Sequence, residues 1–244
     1  MQNSLGTQMP APSPAPDVAG AAKDDRDALL VPLLFVLTVV TGLVDSVSYL
    51  ALGHVFVANM TGNVVFLGFA VAGAPDFSIP ASLVAIAAFL AGALAGGRLA
   101  ASMAQYRSRF LAITMLIKLG LVAVALVVAI AMVDSDPARY GLITLLALAM
   151  GLQNAAARFL AIPDLTTTVL TLTLTGLAAD STLAGGNSPR VVRRLAATGA
   201  MFLGAAIGAY LLFRVGAGAV LVLTLALLSL NALAAVRIWS RSAA

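Results

Sequence analysis

The stretch Val55-Phe56-Val57-Ala58-Asn59-Met60-Thr61-Gly62-Asn63 begins an apolar block, about residues 55 to 73, with a dense polar cluster inside it. A second block, about 163 to 184, is also apolar but carries repeated threonines: Thr166, Thr167, Thr168, Thr171, Thr173 and Thr175. Crossing a bilayer core of about 30 Å takes about 20 apolar residues. Whether these two blocks cross or turn back decides the topology.

The composition indicates a chain that is solvated by lipid. Of its 244 residues, 61% are hydrophobic and 10% charged, whereas an ordinary globular domain has about 25% charged residues. The chain has no cysteine and one histidine, His54, which excludes disulfides, thiolate metal sites and His-rich metal or haem sites. We therefore expect no cofactor and no bound metal. The scattered arginines do not form a nucleic-acid-binding patch.

Six further apolar blocks are long enough to span a membrane, and the chain is predicted to be an all-α integral membrane protein. The blocks cover about 29 to 50, 80 to 101, 110 to 133, 140 to 160, 195 to 213 and 215 to 237. Residues 1–28 are rich in Pro, Ala, Ser and charged residues and are predicted to be a disordered cytoplasmic tail. Residues 29–244 are predicted to form a single transmembrane domain.

The distribution of positive charge favours six crossings. If all eight blocks crossed, Arg98, Arg107, Arg109, Arg158 and Arg214 would lie outside the cell. If the two polar blocks re-enter instead, only Arg139 and Arg214 lie outside, and the positive-inside rule is obeyed. This topology places both termini in the cytoplasm. Backbone that breaks at membrane depth must face protein or water, so the polar segments should line an interior cavity.

Weak internal similarities predict two halves, about 29–133 and 140–238. Gly42-Leu43-Val44-Asp45 resembles Gly151-Leu152-Gln153-Asn154 at an offset of 109, and Met60-Thr61 resembles Leu170-Thr171 at 110. The stretches 89–94 and 202–207 match at an offset of 113. Three crossings per half would invert the second half relative to the first, an arrangement typical of transporters with a substrate path between the repeats.

Asp45 and Lys118 are the candidate charged residues at depth. Asp45 shares a helical face with Thr38, Thr41 and Ser48, and a buried carboxylate in a span usually marks a pathway or an ion pair. The alternative is that Asp45 reaches the headgroups. Lys118 lies near the midplane, as a substrate ligand or as the ion-pair partner of Asp45 or Asp180.

The polar cluster Asn59, Thr61, Gly62 and Asn63 offers donors, acceptors and close backbone approach, which suits a small polar solute or an ion. The alternative is that Asn59 and Asn63 satisfy backbone groups where a helix breaks. In the second half, Asn154 and Thr171 are the corresponding candidates, although threonines often bond to their own helix.

Two small-xxx-small faces, Gly92/Gly96 and Gly204/Gly208, predict close helix contacts and are candidates for a homo-oligomer interface.

The segments 41–50 and 53–63 together resemble the N-terminal signature of the YoaK-like bacterial membrane proteins, a UPF0700-type family of unknown function. Gly151-Leu152-Gln153-Asn154-Ala155 and Thr167-Thr168-Val169-Leu170-Thr171 resemble its second signature, with Leu172 where glycine is expected. The resemblance covers nearly everything after the tail. It implies a bacterial inner-membrane protein of about six spans and supplies no substrate.

The function predicted from these features is a permease or channel for a small polar solute or ion. The alternative is a membrane scaffold or assembly partner without a transport path. No hydrolase, zinc-protease or nucleotide-binding motif is present in the sequence, so we expect no enzymatic activity.

Overall fold

The computed structural model describes residues 18–131, 135–161, 170–187 and 190–243. These residues form eight α-helices and one short 3-10 turn at Thr182–Ala184. The helices are α1 (Val18–Ala51), α2 (Met60–Val71), α3 (Ile79–Ser102), α4 (Arg107–Ala131), α5 (Asp136–Leu160), α6 (Leu170–Ala179), α7 (Val191–Arg214) and α8 (Ala217–Ala243).

Six of these helices are long and apolar enough to cross a membrane, as predicted. The candidate spans are Leu30–Ala51, Ile79–Ser102, Arg107–Ala131, Asp136–Leu160, Val191–Arg214 and Ala217–Ser240. Large apolar side chains such as Leu90, Ile130 and Phe213 are exposed on the outer faces of the bundle, where lipid replaces water. The prediction of an all-α multi-pass membrane protein is confirmed.

Helices α2 and α6 correspond to the two polar blocks and are too short to span. Their 12 and 10 residues give lengths of about 18 and 15 Å at about 1.5 Å per residue, against a hydrocarbon core of about 30 Å. Thr166, Thr167 and Thr168 lie outside the described residues.

Helix α1 starts earlier than expected. It begins at Val18, so residues 18–28 are helical and do not belong to a disordered tail. The membrane-spanning part begins at Leu30, close to the predicted start at Leu29. Residues 1–17 of the predicted tail lie outside the described part of the chain.

Helices α1 and α5 occupy the centre of the bundle. In the most apolar window of α1, 72% of the residues are buried, and in that of α5, 61%, whereas the other four spans reach at most 39%. α1 packs against α7 and α8, and α5 packs against α3 and α4. Polar groups on α1 and α5 can therefore be kept away from lipid.

Glycines bring the central helices into backbone contact with their neighbours. A side chain at Gly42 would overlap the backbone of Met201 and Ala205, and one at Gly204 would overlap Val39. At the other contact, Gly151 lies against the backbone of Phe89 and Ala93, and Gly92 against that of Leu148.

The small-residue faces are therefore filled within the chain. Gly96 lies against Leu152 and Ala155, and Gly208 lies against Leu43 and Ser46. The predicted close contacts are confirmed, but the use of Gly92/Gly96 or Gly204/Gly208 for a homo-oligomer is wrong, because α5 and α1 of the same chain already cover them.

The glycine contacts repeat between the two halves of the chain. The pair Val39 and Gly204 corresponds to Leu148 and Gly92, and the pair Gly42 and Met201 to Gly151 and Phe89. Corresponding residues are therefore 109 positions apart between α1 and α5, and 112 positions apart between α3 and α7. The offset of 113 inferred for α3 and α7 is one residue too large.

We expect the four glycine contacts to be sensitive to a single methyl group. Gly92→Ala and Gly204→Ala should each lower the free energy of unfolding by about 1–3 kcal/mol, because the methyl group must displace backbone. Thermal unfolding in detergent measures this effect.

The matched controls are Gly97→Ala and Gly199→Ala, where nothing lies within 4 Å of the new methyl group. These should be neutral or stabilising by up to about 1 kcal/mol, since alanine favours a helix over glycine. Equal effects in both pairs would contradict the close packing.

The segment from Leu52 to Ser78 enters and returns at one side of the bundle. His54, in the loop after α1, donates from Nδ1 to the carbonyl oxygen of Asp76, in the loop before α3, at 3.1 Å. The ring of Phe66 on α2 stacks on Phe77 with centroids 4.9 Å apart and on Phe56 at 5.7 Å. The loops on either side of α2 therefore meet.

Labelling of single cysteines tests this re-entry, because the chain contains no cysteine of its own. Ala51→Cys and Asp76→Cys, both exposed positions, should react with an impermeant maleimide from the same side of the membrane. Gln105→Cys, between α3 and α4, should react from the opposite side. Labelling of positions 51 and 76 from opposite sides would mean that α2 crosses.

Candidate functional site

The Asp45 carboxylate fixes the loop that leads into α2. Its Oδ1 atom accepts hydrogen bonds from the backbone N–H groups of Val57 at 3.3 Å and Ala58 at 3.1 Å. Asp45 lies six residues before the end of α1 at Ala51, about 9 Å along the helix. Residues 52–58 therefore fold back along α1 to reach it, and α2 begins beside this turn of α1.

Asn63 closes the same loop from the other side. Its Oδ1 accepts from the N–H of Phe56 at 2.8 Å, and its Nδ2 donates to the carbonyl oxygen of Phe56 at 2.5 Å. Asn59 caps α2, since its Oδ1 accepts from the N–H of Gly62 at 3.4 Å. The alternative that both asparagines satisfy backbone groups at a helix break is confirmed by these contacts.

A cavity of about 390 Å³ lies where α1, α2, α6 and α7 converge. It is lined by Thr41, Asp45, Ala58, Asn59, Thr61, Gly62, Val65, Phe66, Leu170, Thr171 and Met201. Of the predicted site residues, the structure thus brings Asp45, Asn59, Thr61, Gly62 and Thr171 together. Thr61 and Thr171, which correspond in the two halves, lie in the first turns of the two short helices and line the same cavity.

Part of the predicted polar face of α1 is satisfied by its own helix. The hydroxyl of Thr38 donates to the carbonyl oxygen of Leu34 at 3.0 Å, and that of Ser48 donates to the carbonyl oxygen of Asp45 at 3.2 Å. Of the four residues on this face, Thr41 and Asp45 line the cavity.

Lys118 does not pair with Asp45. It is fully buried on α4 and donates to Oε1 of Gln153 on α5. Gln153 in turn donates from Nε2 to Oγ1 of Thr41 at 2.9 Å. The hydrogen bonds thus connect the lysine to the cavity wall without placing it in the cavity.

The proposed ion pairs of Lys118 with Asp45 or Asp180 are both wrong. Asp180 pairs with Arg194 of α7 at 2.7 Å, and Asp45 is bound by backbone. A backbone partner at this depth cannot be read from residue types, because it depends on where the loop folds back.

Three predicted site residues do not line the cavity: Asn63, Lys118 and Asn154. Asn154, at the offset of 109 from Asp45, donates to the carbonyl oxygen of Met150 in its own helix at 3.0 Å. Leu172, at the position corresponding to Gly62, is exposed. The two halves are therefore alike in packing and, apart from Thr61 and Thr171, unlike in the groups that they present to the cavity.

Sequence reasoning missed the apolar part of the lining. Phe66, Val65 and Met201 form a wall of the cavity, but apolar residues in an apolar block carry no signal that distinguishes a cavity from lipid. Gln153 lies in the stretch that resembles Gly42-Leu43-Val44-Asp45, but its contact with Lys118 was not predicted.

We expect Asn63 and Thr61 to respond differently to apolar replacement. Asn63→Leu should destabilise the protein by about 1–3 kcal/mol for each backbone group of Phe56 that it leaves without a partner. Thr61→Val removes the hydroxyl of a residue that lines the cavity and should leave the unfolding temperature nearly unchanged. Thermal unfolding of the two variants in one detergent measures the difference. An Asn63→Leu protein as stable as the wild type would contradict the role of Asn63 in binding the backbone of Phe56.

Comparison with known proteins gives the family. The sequence profile of the family described as "Protein of unknown function (DUF1275)" matches residues 33–233, which include all six spans at least in large part. The "UPF0700 transmembrane protein YoaK" of Bacillus subtilis (strain 168) is 34% identical over 148 residues, which are 61% of this chain and 65% of that protein. The match thus covers slightly less than two thirds of that relative. No solved structure matches.

Proposed function

We propose that this chain, which belongs to the DUF1275 family, moves a small polar solute or ion across the bacterial inner membrane through the cavity at Asp45. The observation that supports it most is the composition of the cavity wall. Both short helices contribute, one from each half of the chain, together with the central helix α1 and with α7. In a membrane scaffold without a transport path, we would expect the polar side chains at this depth to form hydrogen bonds with one another.

The repeated glycine contacts support an inverted repeat. If each long helix crosses once, α1 and α5 run in opposite directions, because α3 and α4 cross between them. The two halves then approach the cavity from opposite faces of the membrane, and small tilts of one half against the other would expose it to either side. Both termini lie in the cytoplasm in this arrangement, which satisfies the positive-inside rule.

Removal of the Thr61 and Thr171 hydroxyls tests this function. We expect Thr61→Val and Thr171→Val to fold and insert like the wild type, yet to slow flux of the transported solute in proteoliposomes by about tenfold, the effect of losing one or two hydrogen bonds. The flux is measured against a panel of labelled small neutral solutes and ions.

Thr144→Val is the matched control. The Thr144 hydroxyl donates to Tyr140 within α5 at 2.8 Å and does not line the cavity, so its loss should not change the flux. Absence of flux for every solute in the panel would favour the scaffold alternative. Full flux in both Thr61→Val and Thr171→Val would mean that the solute does not pass through the cavity.

A further inference from the structure

The second carboxylate oxygen of Asp45 has no partner among the described residues. Oδ1 accepts both backbone hydrogen bonds, whereas Oδ2 accepts none from the part of the chain that the structure describes. Asp45 is 5% exposed and lines the cavity. A carboxylate oxygen with so little access to water is costly to leave unpaired, so a donor from outside the chain is the natural complement.

The charge around the cavity favours a cation. The lining contains one carboxylate and no Lys, Arg or His, and the nearest described amine in the network, that of Lys118, is bound to Gln153. The amino terminus of α6 contributes about half an elementary charge at most, which is less than the full charge of Asp45. At the start of α2, the N–H of Gly62 is already bound by the Asn59 cap, and Asp45 Oδ1 accepts from the loop just before the helix.

The size and the apolar wall favour an organic cation over a bare metal ion. A volume of about 390 Å³ falls within the range of about 300–1,000 Å³ that is usual for small-molecule sites. Ca²⁺ and Mg²⁺ require about six or more oxygen ligands, and the described residues contain no group of three His, Asp or Glu side chains that could hold a metal ion. The apolar side chains of Val65 and Met201 can instead contact the carbon skeleton of an organic cation.

We propose that the cavity binds a small organic cation with N–H groups, an ammonium or a guanidinium, which donates to Oδ2 of Asp45. The Thr61 and Thr171 hydroxyls and the Asn59 amide accept its remaining N–H groups. This inference names the class of solute for the transport proposed above, and it relies on that proposal only for the movement of the bound cation.

Guanidinium and urea form the matched pair of probes, because they have nearly the same size and planar shape and differ in charge. Millimolar guanidinium chloride should raise the unfolding temperature of the detergent-purified full chain in a saturable way, relative to sodium chloride at equal ionic strength. Urea at the same concentrations should not. Equal stabilisation by both probes, or by neither, would overturn the cation site.

Asp45→Asn tests the ligand, since the asparagine oxygen can still accept from Val57 and Ala58. Its affinity for guanidinium should fall by about 10- to 100-fold, the effect of losing a charge-assisted hydrogen bond. Asp76→Asn, at an exposed loop position, should bind like the wild type. Unchanged binding in Asp45→Asn would overturn the inference.

If Asp45→Asn does not fold, the wild-type comparison of guanidinium with urea still decides, and Thr61→Val replaces Asp45→Asn as the variant. Loss of the hydroxyl acceptor should weaken guanidinium binding by about 2- to 10-fold, and unchanged binding would overturn the site.

Flux of the same probes in proteoliposomes separates the two proposals. Guanidinium that binds through Asp45 but does not cross would uphold the site and contradict transport. Urea that crosses while guanidinium neither binds nor crosses would uphold transport and overturn the cation site.

Discussion

The bond between the Asp45 carboxylate and the backbone of Val57 and Ala58 is the constraint on which the site depends. In lipid each backbone polar group without a partner costs several kcal/mol, so a chain cannot turn back at membrane depth without acceptors for its N–H groups. Asp45 supplies one such acceptor about 9 Å inside the end of α1. Without this acceptor, the N–H groups of Val57 and Ala58 would have no partner at this position. The loop from Leu52 to Ala58 would then not fold back here, and α2 would not begin beside the cavity.

Two further features make that arrangement stable. Asn63 satisfies both backbone groups of Phe56, and the stacked rings of Phe56, Phe66 and Phe77 fill the space between this loop and α2. Gly62 allows the ring of Phe56 to lie against the first turn of α2, where a Cβ atom would come within 2.7 Å of it. The glycines on α1, α3, α5 and α7 keep the central helices close to their neighbours, so that the polar groups stay away from lipid.

The sequence was sufficient to predict the parts of the fold that depend on hydropathy and length. The six spans lie within a few residues of their predicted positions, because about 20 apolar residues have few alternatives to a membrane. The two polar blocks were predicted to be re-entrant or broken segments from their interrupted apolar pattern, and each contains a short helix, α2 or α6. Gly204 and Gly92 were recognised as contact residues, but a glycine pattern does not say whether its partner is in the same chain, and the oligomer interface assigned to it was wrong.

The site could be predicted only in part. Asp45, Thr61 and Thr171 were identified because polar residues in apolar blocks are costly and therefore informative. Lys118 was assigned to Asp45 because opposite charges suggest a pair, whereas a neutral amide, Gln153, accepts its hydrogen bond. When the partner of a buried charge is a backbone group or a neutral side chain, the distribution of charged residues in the sequence does not reveal it.

Hydrogen exchange of the segment that contains Val57 and Ala58 tests the central claim most directly. In the wild-type protein in detergent, mass spectrometry should find these amides much more protected than those of the exposed loop residues 104 and 105. In Asp45→Ala, which removes the acceptor, protection of the segment should be lost while that of α3 and α5 remains. Exchange of residues 57 and 58 in the wild type as fast as in the reference loop, or protection that persists in Asp45→Ala, would contradict the account.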